Sequence, residues 1–295
     1  MDNPLVSVVV ITYNSSKYIL ECLDSIYNQT YQKIELIISD DCSKDNTVEI
    51  CRDWLAVNDD RFLGTNLVLS EINTGVSANC NRGVHVSHGE WVKLIAGDDL
   101  LLSNCLWDNV CFINKEQYTE ILYSNYSRFG DGCQLRERKL IINPYNVFTR
   151  LNTQELKILM CNKYCFPTPT MFVSRKCLEN LSGFDENIPF AEDWPFCMKA
   201  LFCKKTINFY NKTTVSYRVH GNSISNNMNQ YYESRQALYL ELLKYAKRIS
   251  YLYWLNEYLK YKMAFNNHIV WKVLLLSRFI NPYTYILKRI YLKCM

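Results

Sequence analysis

The first hundred residues alternate between short apolar runs and segments with the spacing of amphipathic helices. The strand-like runs cover residues 5–11, 34–38, 66–69 and 91–96, and helical patterns lie between them at about 15–28, 47–55 and 77–88. Short runs of apolar, often β-branched residues are typical of strands buried on both faces of a parallel sheet. The alternation therefore predicts right-handed βαβ units and an α/β fold with an open, mostly parallel sheet.

Polar side chains follow three of these predicted strands, at the points where the strands end. They are Thr12, Tyr13 and Asn14 after the first strand, Asp40 and Asp41 after the second, and Asp98 and Asp99 after the fourth. In open α/β sheets, ligands bind beyond the carboxyl ends of the strands. Adjacent carboxylates repel each other unless a positive group neutralises them, which Mg²⁺ or Mn²⁺ can do together with phosphates. The three strand ends together predict a site for a metal ion and a nucleotide.

A plainer interpretation is that these aspartates cap helices. Asp is a favoured N-cap residue, and Asp98 and Asp99 precede a helix that is predicted to begin near Leu101. For Asp40, a cap or a hydrogen bond behind the site is at least as well supported as a ligand contact. No glycine-rich phosphate loop of the G-x-G-x-x-G or G-x-x-x-x-G-K-[ST] type is present, so we expect a cation to hold the phosphates.

Six segments in this order carry a family resemblance: VSVVVITYN, ISDDCSKDNT, NTGVSANCNRG, GDD, SGFDEN and AEDW. Over about residues 5–225, this set resembles family 2 glycosyltransferases of the inverting GT-A fold. The resemblance implies a Rossmann-like sheet flanked by helices, with a nucleotide-sugar half at about 1–100 and an acceptor half at about 101–230. One position departs from the pattern, because Cys80 stands where many relatives have an arginine and Arg82 is displaced.

The resemblance also implies roles for the residues at the strand ends. Those on the donor side are Thr12, Tyr13, Asn14, Asp41, Asp98 and Asp99. The first three would border the base and ribose of a nucleotide-sugar, usually a UDP-sugar. Asp41 would accept a hydrogen bond from the uracil ring N–H, and Asp98 would approach the ribose. Asp99 would hold a Mn²⁺ or Mg²⁺ ion that offsets charge on the departing UDP.

On the acceptor side, Glu192 and Asp193 open a helix that is predicted to run to about Phe202. Acidic residues in a first turn are often only favourable partners of the helix dipole. In the family, the Asp of this pair is the general base. Asp193 would therefore deprotonate the acceptor hydroxyl, while Glu192 would orient the acceptor or Asp193, and the product would have inverted configuration.

His220 follows a strand that is predicted at 213–219. A lone histidine is more often structural, but similar family members use a histidine near this point as a metal or diphosphate ligand. We therefore expect His220 to be a ligand of the ion, and we expect His85, His88 and His268 to be structural.

The C-terminal segment 231–295 differs in charge from the rest of the chain. It carries eleven Lys or Arg and three Glu, a net charge of +8, so residues 1–230 carry −4. Aromatic and aliphatic residues interleave with these basic residues, which disfavours nucleic-acid binding and predicts a helical, basic-aromatic extension. Its helices would either pack on the catalytic domain or lie on an anionic membrane surface. The apolar stretch 269–280 is too short and too charged to span a bilayer.

The chain opens on a strand-like run, which predicts no signal peptide, and its thirteen scattered cysteines are expected to be reduced thiols in a cytoplasmic protein. The family resemblance, together with the basic C-terminal segment, implies that it lies peripherally on the inner face of the cell membrane. There it would transfer one hexosyl or N-acetylhexosaminyl group to a polyprenyl-diphosphate-linked saccharide, as in O-antigen or capsule assembly. Processive members of the family that this chain resembles usually carry a Q-x-x-R-W motif, and none of the six Trp here stands in one, so the resemblance implies single addition rather than polymer synthesis.

Two other functions stay open at this point. A nucleotide-sugar hydrolase would need no acceptor pocket. An inactive, membrane-bound scaffold of the same fold would catalyse no reaction and would need no catalytic residues. The intact Asp41, Asp99 and Asp193 argue against the scaffold, whereas Cys80 argues faintly for it.

Overall fold

The computed structural model describes residues 3–130, 144–161, 166–188, 191–221, 228–251, 253–255, 257–258 and 282–294. One eight-stranded sheet lies at the centre of the molecule. Its strands are β1 (Val6–Thr12), β2 (Ile34–Asp40), β3 (Gly64–Leu69), β4 (Trp91–Ala96), β5 (Leu100–Leu101), β6 (Ile121–Phe129), β7 (Phe172–Ser174) and β8 (Ile207–Arg218). The helices are α1 (Ile19–Tyr27), α2 (Thr47–Asn58), α3 (Val76–His85), α4 (Cys105–Lys115), α5 (Pro144–Arg150), α6 (Thr153–Cys161), α7 (Arg175–Asn180), α8 (Asp193–Phe202), α9 (Met228–Ile249) and α10 (Pro282–Cys294).

The strand order in the sheet is β3-β2-β1-β4-β7-β6-β8-β5. The first four strands along the chain lie side by side and pair in parallel, as the alternation in the sequence predicts. In the second half, β7 pairs antiparallel with β4 and β6, whereas β8 runs parallel to β6. The expected α/β fold with a mostly parallel sheet flanked by helices is therefore confirmed.

Two predicted boundaries in the second half are wrong. The helix expected near Leu101 begins only at Cys105, because Leu100 and Leu101 form the short strand β5, which pairs antiparallel with β8. Leu101 is buried against the sheet, so tertiary pairing decides its conformation. The strand predicted at 213–219 is longer than its alternating pattern indicates and runs from Ile207 to Arg218.

The sheet is covered on both faces, which is why its central strands are apolar throughout. Val8 and Val10 of β1 pack with α1, α2 and α4, whereas Val9 packs on the opposite face with α3, α6 and α8. Both sets of side chains are fully buried. This arrangement leaves the carboxyl ends of β1, β2 and β4 as the place where polar residues can meet.

The described parts of the C-terminal extension pack on the rest of the molecule. Helix α9 contacts α6 and α8, and α10 contacts α5 and α6. Ile290 and Cys294 of α10 are fully buried, and Lys293 Nζ lies 2.5 Å from Glu155 Oε1. The stretch 269–280 and His268 lie outside the described residues. Within the described part of the chain, no helix is both long enough and apolar enough to cross a membrane.

Candidate active site

The ends of β1, β2 and β4 meet at one edge of the sheet. In the register of these parallel pairs, Thr12 lies opposite Asp40, and Ile11 lies opposite Ala96. The Thr12 hydroxyl donates a hydrogen bond of 2.8 Å to Asp40 Oδ2, so the first two strand ends are also joined by their side chains. The structure therefore brings together the three polar strand ends that the sequence predicts.

Most polar groups at the first two strand ends hold the loops in place. Asp40 is buried and accepts hydrogen bonds from the backbone N–H and the hydroxyl of Ser43, which agrees with the plainer interpretation of this residue. Asn14 adopts a positive φ of 52°, and its Oδ1 accepts a hydrogen bond of 2.7 Å from Lys44 N. Tyr13, by contrast, is 46% exposed, so its ring is open to a ligand.

Asp41 is a buried carboxylate with several donors around it. It accepts hydrogen bonds from the backbone N–H and the hydroxyl of Thr74 and from Gly75 N, which precedes the first turn of α3. Arg82 Nη2 lies 3.2 Å from Asp41 Oδ1 and donates a second hydrogen bond of 2.6 Å to the Thr74 hydroxyl. Arg82, to which sequence reasoning assigns no role, therefore forms an ion pair with the residue that is predicted to bind uracil.

The two carboxylates after β4 have different environments. Asp98 is partly exposed, and its Oδ2 lies 2.8 Å from His220 Nε2. Asp99 is 1% exposed, and its Oδ1 accepts a hydrogen bond of 2.8 Å from the backbone N–H of Arg218. Burial, followed by the repulsion of Asp98, raises the pKa of Asp99 well above its usual range. The structure thus places Asp98, rather than the predicted Asp99, against His220.

The Asp98–His220 pair has the chemistry of a divalent-cation site. A carboxylate oxygen and an imidazole nitrogen both suit Mn²⁺, and a site with few protein ligands leaves positions for phosphate oxygens. No group of three or more His, Cys, Asp or Glu side chains that could hold an ion occurs among the residues that the structure describes. Asp98 and His220 could therefore hold a divalent ion as a pair.

On the acceptor side, Glu192 and Asp193 lie at the start of α8. Glu192 Oε1 accepts a hydrogen bond of 2.7 Å from the Thr168 hydroxyl, and Asp193 Oδ1 accepts one of 2.6 Å from Trp194 N. Burial and then the neighbouring charge of Asp193 raise the pKa of Glu192 to about 7. The Trp194 ring anchors this turn, because its Nε1 donates to the carbonyl oxygen of Met160 in α6.

Helix α3 joins the two sides of the site. Its Cys80 is fully buried, and the pKa of this thiol is raised by burial first and then by the charges of Glu192 and Asp41. Arg82 of the same helix forms an ion pair with Asp41 on the donor side. Ser77 of the same helix donates a hydrogen bond of 2.8 Å to the carbonyl oxygen of Ile188, a few residues before Glu192.

Arg218 is the residue near the site that sequence reasoning missed altogether. It ends β8 and is almost fully buried, and it donates hydrogen bonds to the carbonyl oxygen of Asp98 and to Glu21 Oε2, each of 2.8 Å. Its position two residues before His220 is the signal in the sequence that could have pointed to it.

Comparison with known proteins identifies the family. The family model described as glycosyl transferase family 2 matches residues 7–181. Glycosyltransferase GlyG of Streptococcus pneumoniae serotype 4 is 36% identical over 129 residues, which are 43% of this chain and 41% of GlyG. This match thus spans less than half of the length of GlyG.

Two solved structures have a similar fold at low sequence identity. The Staphylococcus aureus TarS 1–349 complex with UDP-GlcNAc has a TM-score of 0.66 at 20% identity, over 98% of this chain and 88% of that one. The mannosyltransferase PcManGT of Pyrobaculum calidifontis, in complex with GDP-Man and Mn²⁺, has a TM-score of 0.64 at 19% identity. The match covers 100% of this chain and 86% of PcManGT. Since the family model covers more than half of the chain, this protein belongs to glycosyltransferase family 2 and is a glycosyltransferase with a GT-A α/β fold.

Proposed function

We propose that this glycosyltransferase moves one sugar from a UDP-sugar to a saccharide acceptor, with inversion at the anomeric carbon and with a bound Mn²⁺ or Mg²⁺ ion. The observation that carries the proposal is the pairing of Asp98 with His220 at the carboxyl ends of β1, β2 and β4, which we call the donor edge. Glu192 and Asp193 lie on the acceptor side, at the start of α8. Helix α3 contacts both sides, through Arg82 with Asp41 and through Ser77 with Ile188, which supports the view that they form one active site.

On the donor side, the exposed ring of Tyr13 would border the base and ribose, while Thr12 and Asn14 shape the loop beneath them. Asp41 would accept the ring N–H of uracil in place of one of the donors that now surround it, which come from Thr74, Gly75 and Arg82. The UDP-GlcNAc bound to TarS supports a UDP-sugar, although the GDP-Man bound to PcManGT makes a guanine nucleotide the alternative to test.

The ion would be held by Asp98 and His220, together with the two phosphates of the donor. Such an ion stabilises the negative charge that develops on the departing diphosphate. Asp99 is the metal ligand predicted from the sequence. It would instead support the site by accepting a hydrogen bond from the backbone N–H of Arg218. The Mn²⁺ in PcManGT supports a divalent ion in this fold but does not distinguish Mn²⁺ from Mg²⁺ here.

The acceptor side supplies a base rather than a nucleophile. As the acceptor oxygen bonds to the anomeric carbon and the bond to UDP breaks, the hydroxyl proton would pass to Asp193. Glu192, which is held by Thr168, would orient the acceptor or Asp193. A single displacement of this kind inverts the configuration, and no covalent sugar–carboxylate intermediate of the retaining type is needed.

For the cellular setting, we propose assembly of a surface polysaccharide such as O-antigen or capsule, with an acceptor linked to polyprenyl diphosphate at the inner face of the membrane. The charge of +8 on residues 231–295 supports contact with anionic lipid. Residues 1–230 would then be the catalytic domain and residues 231–295 the extension.

The test is a nucleotide-release assay with UDP-, GDP- and dTDP-sugars, with Mn²⁺ or with EDTA, and with a short lipid-diphosphate saccharide as acceptor. We expect release from one UDP-sugar that requires both metal and acceptor. Release that needs metal but no acceptor would instead indicate a hydrolase. Folded protein that neither releases nor binds any of the nucleotides would indicate an inactive scaffold.

The same assay tests the base. Asp193→Asn should retain UDP affinity within about twofold but lose at least about 100-fold in transfer rate, because a general base contributes about 10²–10⁴-fold. Asp53→Asn is the matched control, since this exposed carboxylate lies on α2, across the sheet from α8. Near-normal turnover by Asp193→Asn would exclude Asp193 as the base.

A further inference from the structure

Arg218 contacts several separate parts of the chain around the Asp98–His220 pair. Its backbone N–H donates to Asp99 Oδ1, its Nε donates to the carbonyl oxygen of Asp98, and its Nη2 donates to Glu21 Oε2, each at 2.8 Å. One side chain thus ties the turn after β4 to helix α1. Arg218 is the last residue of β8, and His220 follows two residues later.

The guanidinium of Arg218 is also enclosed by two aromatic rings. Its Cζ lies 4.5 Å from the ring centroid of Tyr18 and 4.3 Å from that of Phe129. The Tyr18 ring lies in turn 4.8 Å from the ring of His220. Tyr18 therefore contacts both Arg218 and one of the two proposed metal ligands, and the Arg218 side chain is only 9% exposed.

We propose that Arg218 is a positioning residue that holds Asp98 and His220 in the geometry that binds the divalent ion. The inference rests on the proposed function, because it takes these two side chains as the ligands. Residues behind the ligands of a metal site fix their orientation, and removing one such partner weakens metal binding by about 10–100-fold. The effect should be large here, because within the described residues the site has two protein ligands.

The alternative is that Arg218 only balances the charges of Glu21, Asp98 and Asp99, or only fills space. Lysine separates the two roles, because it keeps the positive charge but lacks the planar fork that donates in two directions and stacks between rings. Arg218→Lys should therefore leave charge balance nearly intact while it releases the turn that carries Asp98.

Arg175 provides a matched control. Its Nε donates to the carbonyl oxygen of Gly89 at 2.8 Å, and its Nη2 donates to the Ser87 hydroxyl at 2.7 Å. The same kinds of contact thus occur near the start of β4, at the opposite end of that strand from Asp98. Arg175→Lys should reproduce any general loss of stability without affecting the metal site.

The experiment titrates Mn²⁺ into the full-length protein with saturating UDP and measures free Mn²⁺ by electron paramagnetic resonance. We expect Arg218→Lys to raise the Kd for Mn²⁺ at least tenfold, with the Kd for UDP in EDTA unchanged within twofold. Arg175→Lys should leave both constants within twofold of the wild type. Tyr18→Leu, which changes no charge, should raise the Kd for Mn²⁺ at least threefold. This variant tests the same proposal if Arg218→Lys does not fold.

Each contrary outcome has a distinct meaning. Wild-type and Arg218→Lys proteins with the same Kd for Mn²⁺ would overturn the positioning role and leave the proposed function intact. Equal weakening by Arg218→Lys and Arg175→Lys would overturn it as well, because the effect would then be global. A wild-type protein that binds no Mn²⁺ in the presence of UDP would instead contradict the proposed metal site itself.

Discussion

At the scale of single residues, Glu192 at the start of α8 links the candidate site to the pH dependence of stability. The pKa of Glu192 is raised from 4.5 to about 7, with burial as the larger cause and Asp193 as the next. The unfolded chain therefore loses this proton near pH 4.5, whereas the folded protein keeps it until about pH 7. The stability that the protonated group contributes is fully present below pH 4.5 and is lost as the pH rises through 7.

Glu192→Gln removes this titration and keeps an oxygen that can accept from Thr168. We expect the variant to gain stability relative to the wild type between pH 5 and pH 8, by about 1–3 kcal/mol at pH 8. Urea denaturation at both pH values measures the difference, with the exposed Glu116→Gln as the control whose difference stays constant. A Glu192→Gln difference that does not widen with pH would contradict the raised pKa.

Which residue types gather at the site could be predicted from the sequence, but which of two neighbouring carboxylates faces outward could not. Asp98 and Asp99 are adjacent in the chain, and Asp99, which is the buried one, accepts a hydrogen bond from Arg218 N, 119 residues away. The contact of Arg82 with Asp41 spans 41 residues. Side-chain pairs at such separations leave no local pattern, which is why both arginines escaped prediction.

At the scale of elements, α3 is packed directly on the sheet beneath the donor edge. A Cβ added at Gly83 would lie 2.4 Å from Val9 Cγ1 and 3.3 Å from Ser39 Cβ, so only glycine permits this approach. We expect Gly83→Ala to cost about 1–3 kcal/mol and to weaken UDP binding, because α3 carries Arg82, the partner of Asp41.

Gly64→Ala is the matched control in β3, because the atom nearest to its added Cβ is 4.0 Å away. We expect this variant to stay within about 0.5 kcal/mol of the wild type. Denaturant unfolding and calorimetric UDP binding measure both variants. Equal stability of the two would mean that α3 can move away from the sheet without cost.

The elements themselves were predictable where burial alone decides them. Strands β1, β2 and β4 are covered on both faces, so their apolar runs identify them without any tertiary information. Strand β5 is different, because a two-residue strand has no period of its own and exists only through its pairing with Thr214 to Ser216 of β8. The predicted cap of a helix near Leu101 is wrong for that reason.

At the scale of the whole molecule, the C-terminal extension combines two properties that the sequence could not separate. Its basic and aromatic residues suit a membrane surface, but the described parts of α9 and α10 also bury apolar side chains against α5, α6 and α8. Helix α10 carries both a buried apolar residue and an exposed one. Ile290 is fully buried, whereas Leu292, two positions further along, is 63% exposed.

These two residues test the packing and the membrane roles on one helix. Ile290→Ala should lower the free energy of unfolding by about 2–5 kcal/mol, the usual cost of truncating a buried Ile. Leu292→Ala should change it by less than about 0.5 kcal/mol but should weaken co-sedimentation with anionic vesicles, because an exposed leucine beside basic residues is the kind of group that enters a membrane interface. If both variants were as stable as the wild type, α10 would not be part of the core. If Leu292→Ala left vesicle binding unchanged, α10 would be a packing helix only, and contact with the membrane would have to come from another part of the chain.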